Sequence, residues 1–437
     1  MNIAVAGTGY VGLVTAAILA HIGHNVVCVD IDKQKIDKLN AGESVIYEPG
    51  LSEILEQNKE RMTFTTDSAQ AYHGSDVIFI AVGTPEKADG SANLSFIYAV
   101  AEQIAKCIDA DCVVAVKSTV PIGTNNKMQL FMDKNKKNDV RIEIVSNPEF
   151  LSQGTAVQDM LGASRIVVGT ASEYAKKVME NVYKKMELPV LFTDLCSAEM
   201  IKYASNDFLA LKISYINEIA NLCEILGADI DDVSKGMGMD PRIGEKFLRA
   251  GIGYGGSCFP KDTKALHWIS NYYDNEIKTV KAAVEINQNQ KIRLIKKARK
   301  YYDSLDGLTA AVLGLTFKPG TDDLREAPSL DIIPILLDDG VKVKVWDPVA
   351  VNNFRKFFND MPIYCDSIED ALAEADICFI LTEWPEVKKL NPKEFLNMRR
   401  PVILDGRNCY SLSEMNEYSL IYDSIGRRVI NNLRQSD

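Results

Sequence analysis

The sequence has no apolar run near the roughly 18–20 residues that a membrane span needs. It has no surplus of positive charge either. Lys and Arg number 49 against 60 Asp and Glu, a formal net charge of -11 over 437 residues. Broad binding to nucleic acid or to an anionic membrane needs a basic face, so neither partner is expected. An anionic small molecule stays compatible, because a few local cations suffice. The nine cysteines are an odd number, scattered, with no CxxC pair. That argues against a disulfide framework and against a zinc site. Of the four histidines only His21 and His24 are close, so no metal-ligand spacing exists and no metal is expected. The opening MNIAVAG has neither the charged nor the apolar region of a secretion signal. Reduced thiols in a cytoplasmic protein are the expectation.

What is present is an ordinary globular composition, 46% hydrophobic and 25% charged. The length allows two or three domains at roughly 150 residues each. In the first half, β-rich runs alternate with helical or loop segments: NIAVAG, NVVCVD, DVIFIAV, CVVAVKS, IEIVSN, SRIVVGT and PVLFTD, the last ending at Asp194. That alternation predicts a parallel sheet with crossover helices. Ser197 to Leu226 then runs without proline or glycine, with apolar residues at spacing three and four, a long helix. A further helix is expected from Lys278 to Tyr302. From Thr309 the alternation returns in TAAVLGL, VKVKVWD, ADICFILT and PVILDG, with SLDIIPILLDDG as a helix ending at Gly340. In both α/β parts the second of these strands ends in an acid, Asp30 and Asp347, a weak internal repeat of the nucleotide-binding half-fold. The expected fold is α/β: two Rossmann-like doubly wound parallel-sheet domains joined by a helical middle section with a long central helix.

GTGYVG supplies Gly7, Gly9 and Gly12 between a strand and a helix, and Asp30 follows 18 residues after Gly12. That context makes it a dinucleotide fingerprint. Gly7 takes the tight turn, Gly9 lets the backbone reach the pyrophosphate, and Gly12 lets helix and sheet pack closely. The helix N-terminus favours phosphate. Asp30 would accept hydrogen bonds from the adenosine ribose and repel a 2′-phosphate, which selects NAD over NADP. Lys35 is a candidate ribose or phosphate contact. Further strand ends carry VGTP, KSTVPIG and NPEF, so Thr84, Thr119 and Glu149 are expected in one region beyond the carboxyl ends of the strands.

The stretch GIGYGGSCFPKD, Gly251 to Asp262, places Cys258 among glycines, a proline and an ion pair rather than in an apolar run. A thiolate adds to an aldehyde, and the adduct can lose a second hydride to become a thioester that water releases as an acid. A nucleophilic cysteine therefore suits oxidation to the acid level. Lys261 and the loop amides would favour the thiolate. Lys202 and Asn206, four residues apart on one helix face, are candidates to stabilise an oxyanion. Asp262 is a candidate to orient or deprotonate Lys202, Cys258 or a water. FKPGTDDLRE, with Lys318 and Arg325, reads on its own either as a charged loop or as a source of the cations an anionic nucleotide needs.

Taken together, GTGYVG, STVPIG, NPEFL, AEMIKYASNDFLA, DPRIG, GYGGSCFPKD and GLTFKPGTDDLREAPS resemble the UDP-glucose/GDP-mannose dehydrogenase family, in order over nearly the whole chain. The resemblance implies oxidation of a nucleotide-sugar primary alcohol to a carboxylate, UDP-glucose to UDP-glucuronate. The route is a cysteine thiohemiacetal and thioester, consuming two NAD and one water. GDP-mannose or UDP-N-acetylmannosamine is the alternative substrate. It implies an NAD-binding Rossmann domain over 1–195, a helical domain over 196–303 that makes a homodimer, and a UDP-sugar-binding Rossmann-like domain over 304–437. By motif position Cys258 is the nucleophile. Lys202 and Asn206 stabilise the oxyanion, with Lys202 also a base in the alcohol step. Thr119, Glu149 and Asp262 position water or move protons. Cofactor contacts would add Tyr10, Val11, Thr84, Thr119, Glu149, Lys261 and Arg325. Substrate contacts would run from Glu149 through Phe150, Leu151, Ser152 and Gln153, and from Phe247 through Leu248, Arg249, Ala250 and Gly251. Lys202, Asn206, Gly255, Phe317 and Lys318 would join them, with Arg242 reaching a partner subunit's substrate. One departure stands out: Ser152-Gln153-Gly154 replaces the family's Arg-Glu-Gly, which removes a charged pair from the substrate loop. Two rivals to this chemistry are a two-electron NAD dehydrogenase with a structural Cys258, and a non-catalytic NAD-sensing or assembly protein.

Overall fold

The computed structural model describes residues 1–433; the last four residues of the expected C-terminal domain lie outside them. The chain forms two compact units. One comprises Met1–Ser205 with Lys264–Asn275, the other Asn206–Thr263 with the segment from Glu276 onward.

The first unit holds eight strands: β1 (Asn2–Ala6), β2 (Asn25–Val29), β3 (Met62–Thr65), β4 (Val77–Ile80), β5 (Cys112–Val116), β6 (Ile142–Ser146), β7 (Ile166–Gly169) and β8 (Val190–Thr193). Their order is β3-β2-β1-β4-β5-β6-β7-β8. The strand order reverses between β1 and β4, the place where doubly wound sheets hold nucleotides. Strands β4 and β5 are buried at every position because helices cover both faces. Side chains alternate across the sheet. Ile3, Val5, Phe79 and Val113 pack on one face, Ala4, Ala6, Ile78, Ile80 and Val114 on the other.

The second unit repeats the scheme with β9 (Thr309–Leu313), β10 (Lys342–Trp346), β11 (Ile363–Tyr364), β12 (Ile377–Ile380), β13 (Val402–Asp405), β14 (Ile421–Ser424) and β15 (Ile430–Asn431). Their order is β11-β10-β9-β12-β13-β14-β15. The helix Leu195–Leu226, 32 residues, begins in the first unit and ends in the second.

Four details depart from the sequence pattern. Strand β3 was not legible in RMTFTTD, because a four-residue edge strand carries no continuous apolar run. β14 was hidden by Asp423, a fully buried acid whose charge is met by Lys297. Strands β6 and β7 pair antiparallel, and so do β14 and β15. The helix expected over Lys278 to Tyr302 is two helices, Lys278–Lys291 and Arg293–Ala298, broken at Ile292, whose ψ of 10° leaves the helical range.

Candidate active site

In the first unit, β1 runs into Gly7, which has a φ of 98° that only glycine adopts without strain. A Cβ there would stand 2.8 Å from the Ala81 carbonyl oxygen, and one on Gly12 would collide with the Gly7 carbonyl. Gly9 differs: nothing lies within 4 Å of where its Cβ would be. It caps the helix Tyr10–His21, which has no acid in its first turn. The positive helix end therefore faces open backbone, the cradle a pyrophosphate requires. Asp30 stands at the end of β2. Its Oδ2 accepts from the Thr8 backbone N–H at 2.8 Å and the Thr8 hydroxyl at 2.7 Å, and its Oδ1 accepts from the Asp32 N–H at 3.0 Å. Burial pushes this carboxyl up, but those hydrogen bonds and the Lys35 charge together hold it below its ordinary value. It is ionised at neutral pH and half-buried, as a ribose acceptor must be. These residues fit a dinucleotide.

Past the ends of β4, β5 and β6 the expected polar residues gather. The Thr84 hydroxyl donates to the Thr119 carbonyl at 3.0 Å. Lys202, 2% exposed, donates to the Glu149 carbonyl at 2.6 Å and to Glu149 Oε1 at 3.1 Å, and Glu149 Oε2 accepts from the Leu151 N–H. A solvated helix face is excluded for Lys202. The Phe150 ring lies under both Lys202 and Arg165. The Tyr10 hydroxyl and the Glu48 carboxylate both accept from the Gly154 N–H, and Ser152 N–H donates to Asp159. The Ser152-Gln153-Gly154 loop is thus fixed through its backbone.

Sequence reasoning missed a buried lysine here. Lys117, directly after β5, donates to the Asn147 side-chain oxygen at 3.2 Å, and Tyr183 O–H donates to the same oxygen. Burial first, and the Lys202 charge further, bring Lys117 down to about 8, against the pull of Glu149. A lysine at the end of an otherwise apolar strand was the available signal. Glu48, buried beside the same loop, gave none.

In the second unit, Cys258 is half-buried, and its carbonyl accepts the first helical bond, from the Asp262 N–H at 2.9 Å. The thiol therefore sits at the N-terminus of the helix Phe259–Tyr272, where N–H groups favour a thiolate. Arg325, held above its ordinary range first by the hydrogen bonds it donates to the Asp323 carboxylate, also feels the charge of Cys258. Asp262 is fully buried. Its Oδ2 accepts from Asn206 Nδ2 at 2.7 Å and its Oδ1 from Lys261 Nζ at 2.5 Å.

The glycines around Cys258 serve close packing of their backbone on a second segment. A Cβ on Gly255 would collide with the Glu326 carbonyl, and one on Gly256 would meet the Phe317 ring at 2.8 Å. They let the cysteine loop lie against the FKPGTDDLRE segment, and Gly256 N–H donates to the Arg325 carbonyl. The loop is pinned further by Asn217 to Gly251 N–H, Asn287 to Tyr254 and Gln290 to the Gly251 carbonyl. Arg407, also missed in the sequence, donates to the carbonyls of Gly253, Phe317 and Leu381. Leu248 and Ala250 are buried, Phe247 packs edge-on against Phe259, and Arg249 donates to the Arg407 carbonyl. Lys318 lies over the Phe317 ring. Arg242 is exposed and paired with Asp240.

Known proteins resemble this chain along its whole length. The NAD binding domain of the UDP-glucose/GDP-mannose dehydrogenase family matches residues 1–187, its central domain residues 196–289 and its UDP binding domain residues 311–412. UDP-glucose 6-dehydrogenase YwqF of Bacillus subtilis is 46% identical over 98% of each chain. The UDP-glucose 6-dehydrogenase of Rhizobium meliloti is 44% identical over 98% of this chain and 100% of its own. The structure of a UDP-glucose dehydrogenase from Pyrobaculum islandicum superposes with a TM-score of 0.92 at 36% identity, covering 98% of each chain. A UDP-D-ManNAc dehydrogenase from Pyrococcus horikoshii follows at a TM-score of 0.85 and 28% identity, covering 98% of this chain and 99% of its own. Three domain matches in order and relatives of this likeness over the whole length leave one conclusion: the chain belongs to the UDP-glucose/GDP-mannose dehydrogenase family.

Proposed function

We propose that this protein oxidises UDP-glucose to UDP-glucuronate with two NAD and one water, through a thioester on Cys258. The observation that carries the reading is the thiol at a helix N-terminus, one turn from a fully buried Asp262 that Asn206 and Lys261 hold. A packing cysteine needs none of this. NAD, held by Gly7, Gly9, Tyr10, Val11, Gly12 and Asp30, supplies the hydride acceptor for each oxidation. Lys202 takes the proton of the primary alcohol in the first oxidation, with the Glu149 carboxylate 3.1 Å from its ammonium. The Cys258 sulfur then adds to the aldehyde carbon, and Lys202 and Asn206 stabilise the oxyanion. After the second oxidation the carbon is a thioester. Water, activated through Asp262, Thr119 and Glu149, adds to it and expels the thiolate, which restores the enzyme.

The same assignment divides the chain into an NAD domain over 1–195, a dimerising helical domain over 196–303 and a UDP-sugar domain over 304–437. Along the long helix Met200, Phe208, Tyr215 and Leu222 are exposed at spacings of eight, seven and seven residues, with Ile225 one turn further on, an apolar stripe suited to a homodimer. A cytoplasmic location accords with the absence of any disulfide among the described residues.

The test is NADH release from UDP-glucose, GDP-mannose and UDP-N-acetylmannosamine in parallel. Two NADH per UDP-glucose are expected. One NADH per product, or turnover of only another sugar nucleotide, overturns the assignment. Cys258→Ser should lower acid formation by more than about 10³-fold, since a lost nucleophile removes the whole covalent route.

A further inference from the structure

Asp207 follows Asn206 in the long helix and is 5% exposed, yet neither of its carboxyl oxygens has a hydrogen-bond partner. A buried carboxylate without donors is strongly disfavoured. Its charged neighbours are Asp262 and Lys261, from the first turn of the helix Phe259–Tyr272, and its charge also acts on Tyr254 in the glycine loop. One ammonium therefore stands before two carboxyl groups, and Asp262 has it, at 2.5 Å. Asp262 also has the Asn206 amide.

We propose that Asp207 is a positioning residue of the thiol site: it is held protonated beside Asp262, and losing that proton disables the site. With Asp207 neutral, Asp262 and Lys261 balance in charge and Lys261 has a single partner. With Asp207 ionised, two buried anions compete for Lys261, and Asp262 loses the geometry that Asn206 and Lys261 impose. Burial first, and the Asp262 charge second, push the Asp207 carboxyl up to about 8, against the pull of Lys261. Two carboxyls that shift each other titrate as a coupled pair. The inference rests on the role given above to Asp262, but its protonation claim does not.

Asp207→Asn fixes the neutral form at every pH. In the wild type kcat should fall about tenfold per pH unit above about 8. In D207N that alkaline limb should move up by at least about one unit, with KM for both substrates changing far less than kcat. Difference infrared spectra of wild type against D207N should show a protonated carboxyl at pH 6 that vanishes by pH 10. Thermal unfolding gives a third reading. A raised folded pKa costs stability as pH rises, so D207N should gain in Tm over the wild type from about pH 4 to about pH 8 and then level off. Superimposable pH profiles overturn the positioning role, and an absent protonated band with a constant Tm difference overturns the protonation. If Cys258→Ser still yields two NADH, the reaction assignment fails instead, while the infrared and thermal titrations still decide Asp207.

Discussion

The two sheets carry the same acid at the same place and use it in opposite ways. Asp30 ends β2 half-buried, with three donors on its two oxygens. Asp347 ends β10 with 4% exposure. Its oxygens accept from the N–H groups of Leu315, Val349 and Ala350 and from the indole N–H of Trp384. The turns after β1 and β9 also agree at first, since Gly7 and Gly314 both have positive φ and both abut a crossing strand. After Gly7 the helix starts at once; after Gly314 fourteen residues intervene before Ser329. The first acid is left open to a ligand. The second is sealed by a tryptophan, and the inserted segment carries Lys318 and Arg325. A repeated backbone scheme therefore does not repeat a binding site.

The comparison can be broken most forcefully at Asp347. Its replacement by Ala strands four buried donors, so a loss of about 3 kcal/mol or more in unfolding free energy is expected, with NAD affinity in the folded fraction unchanged. Asp30→Ala should do the reverse. Its NAD dissociation constant should rise about tenfold to a hundredfold, measured by calorimetry, with little change in Tm. Equal effects at the two acids would erase the distinction.

A smaller effect separates the next strand ends. β13 ends in Asp405, whose oxygens are filled by Arg407 N–H, Cys409 N–H and the Tyr422 hydroxyl. β5 leads into Lys117, whose charged form burial disfavours. Its folded pKa is depressed, so the unfolded chain holds the proton up to about 10.5 while the folded one releases it near 8. Wild type should therefore gain stability over Lys117→Met as pH rises from about 8 to about 10.5, by up to about 1.4 kcal/mol per unit, and lose it below. Urea unfolding across that range reads the slope, and a flat difference would show that Lys117 stays charged.

Much of the site was legible because its chemistry depends on local order. The turn at Gly7, the acid at Asp30 and the thiol at Cys258 each announce themselves through immediate neighbours. Lys117, Glu48, Arg407 and Asp207 did not. Each acts through a residue distant in sequence: Lys117 through Asn147, Glu48 through Gly154, Arg407 through Gly253 and Phe317, Asp207 through Asp262. The glycines of the cysteine loop were visible, but their packing was not, because exposed backbone and backbone packed on another segment look alike in a sequence.

By itself the order of residues determined the alternation of strands and helices, the two nucleotide half-folds, the dinucleotide turn and the glycine-rich setting of Cys258, since hydrophobic period and turn chemistry act over a few positions. Only the tertiary structure decided which acid stays open, which lysine is buried and which carboxyl lacks donors. Those properties depend on burial and on partners that folding brings from far along the chain.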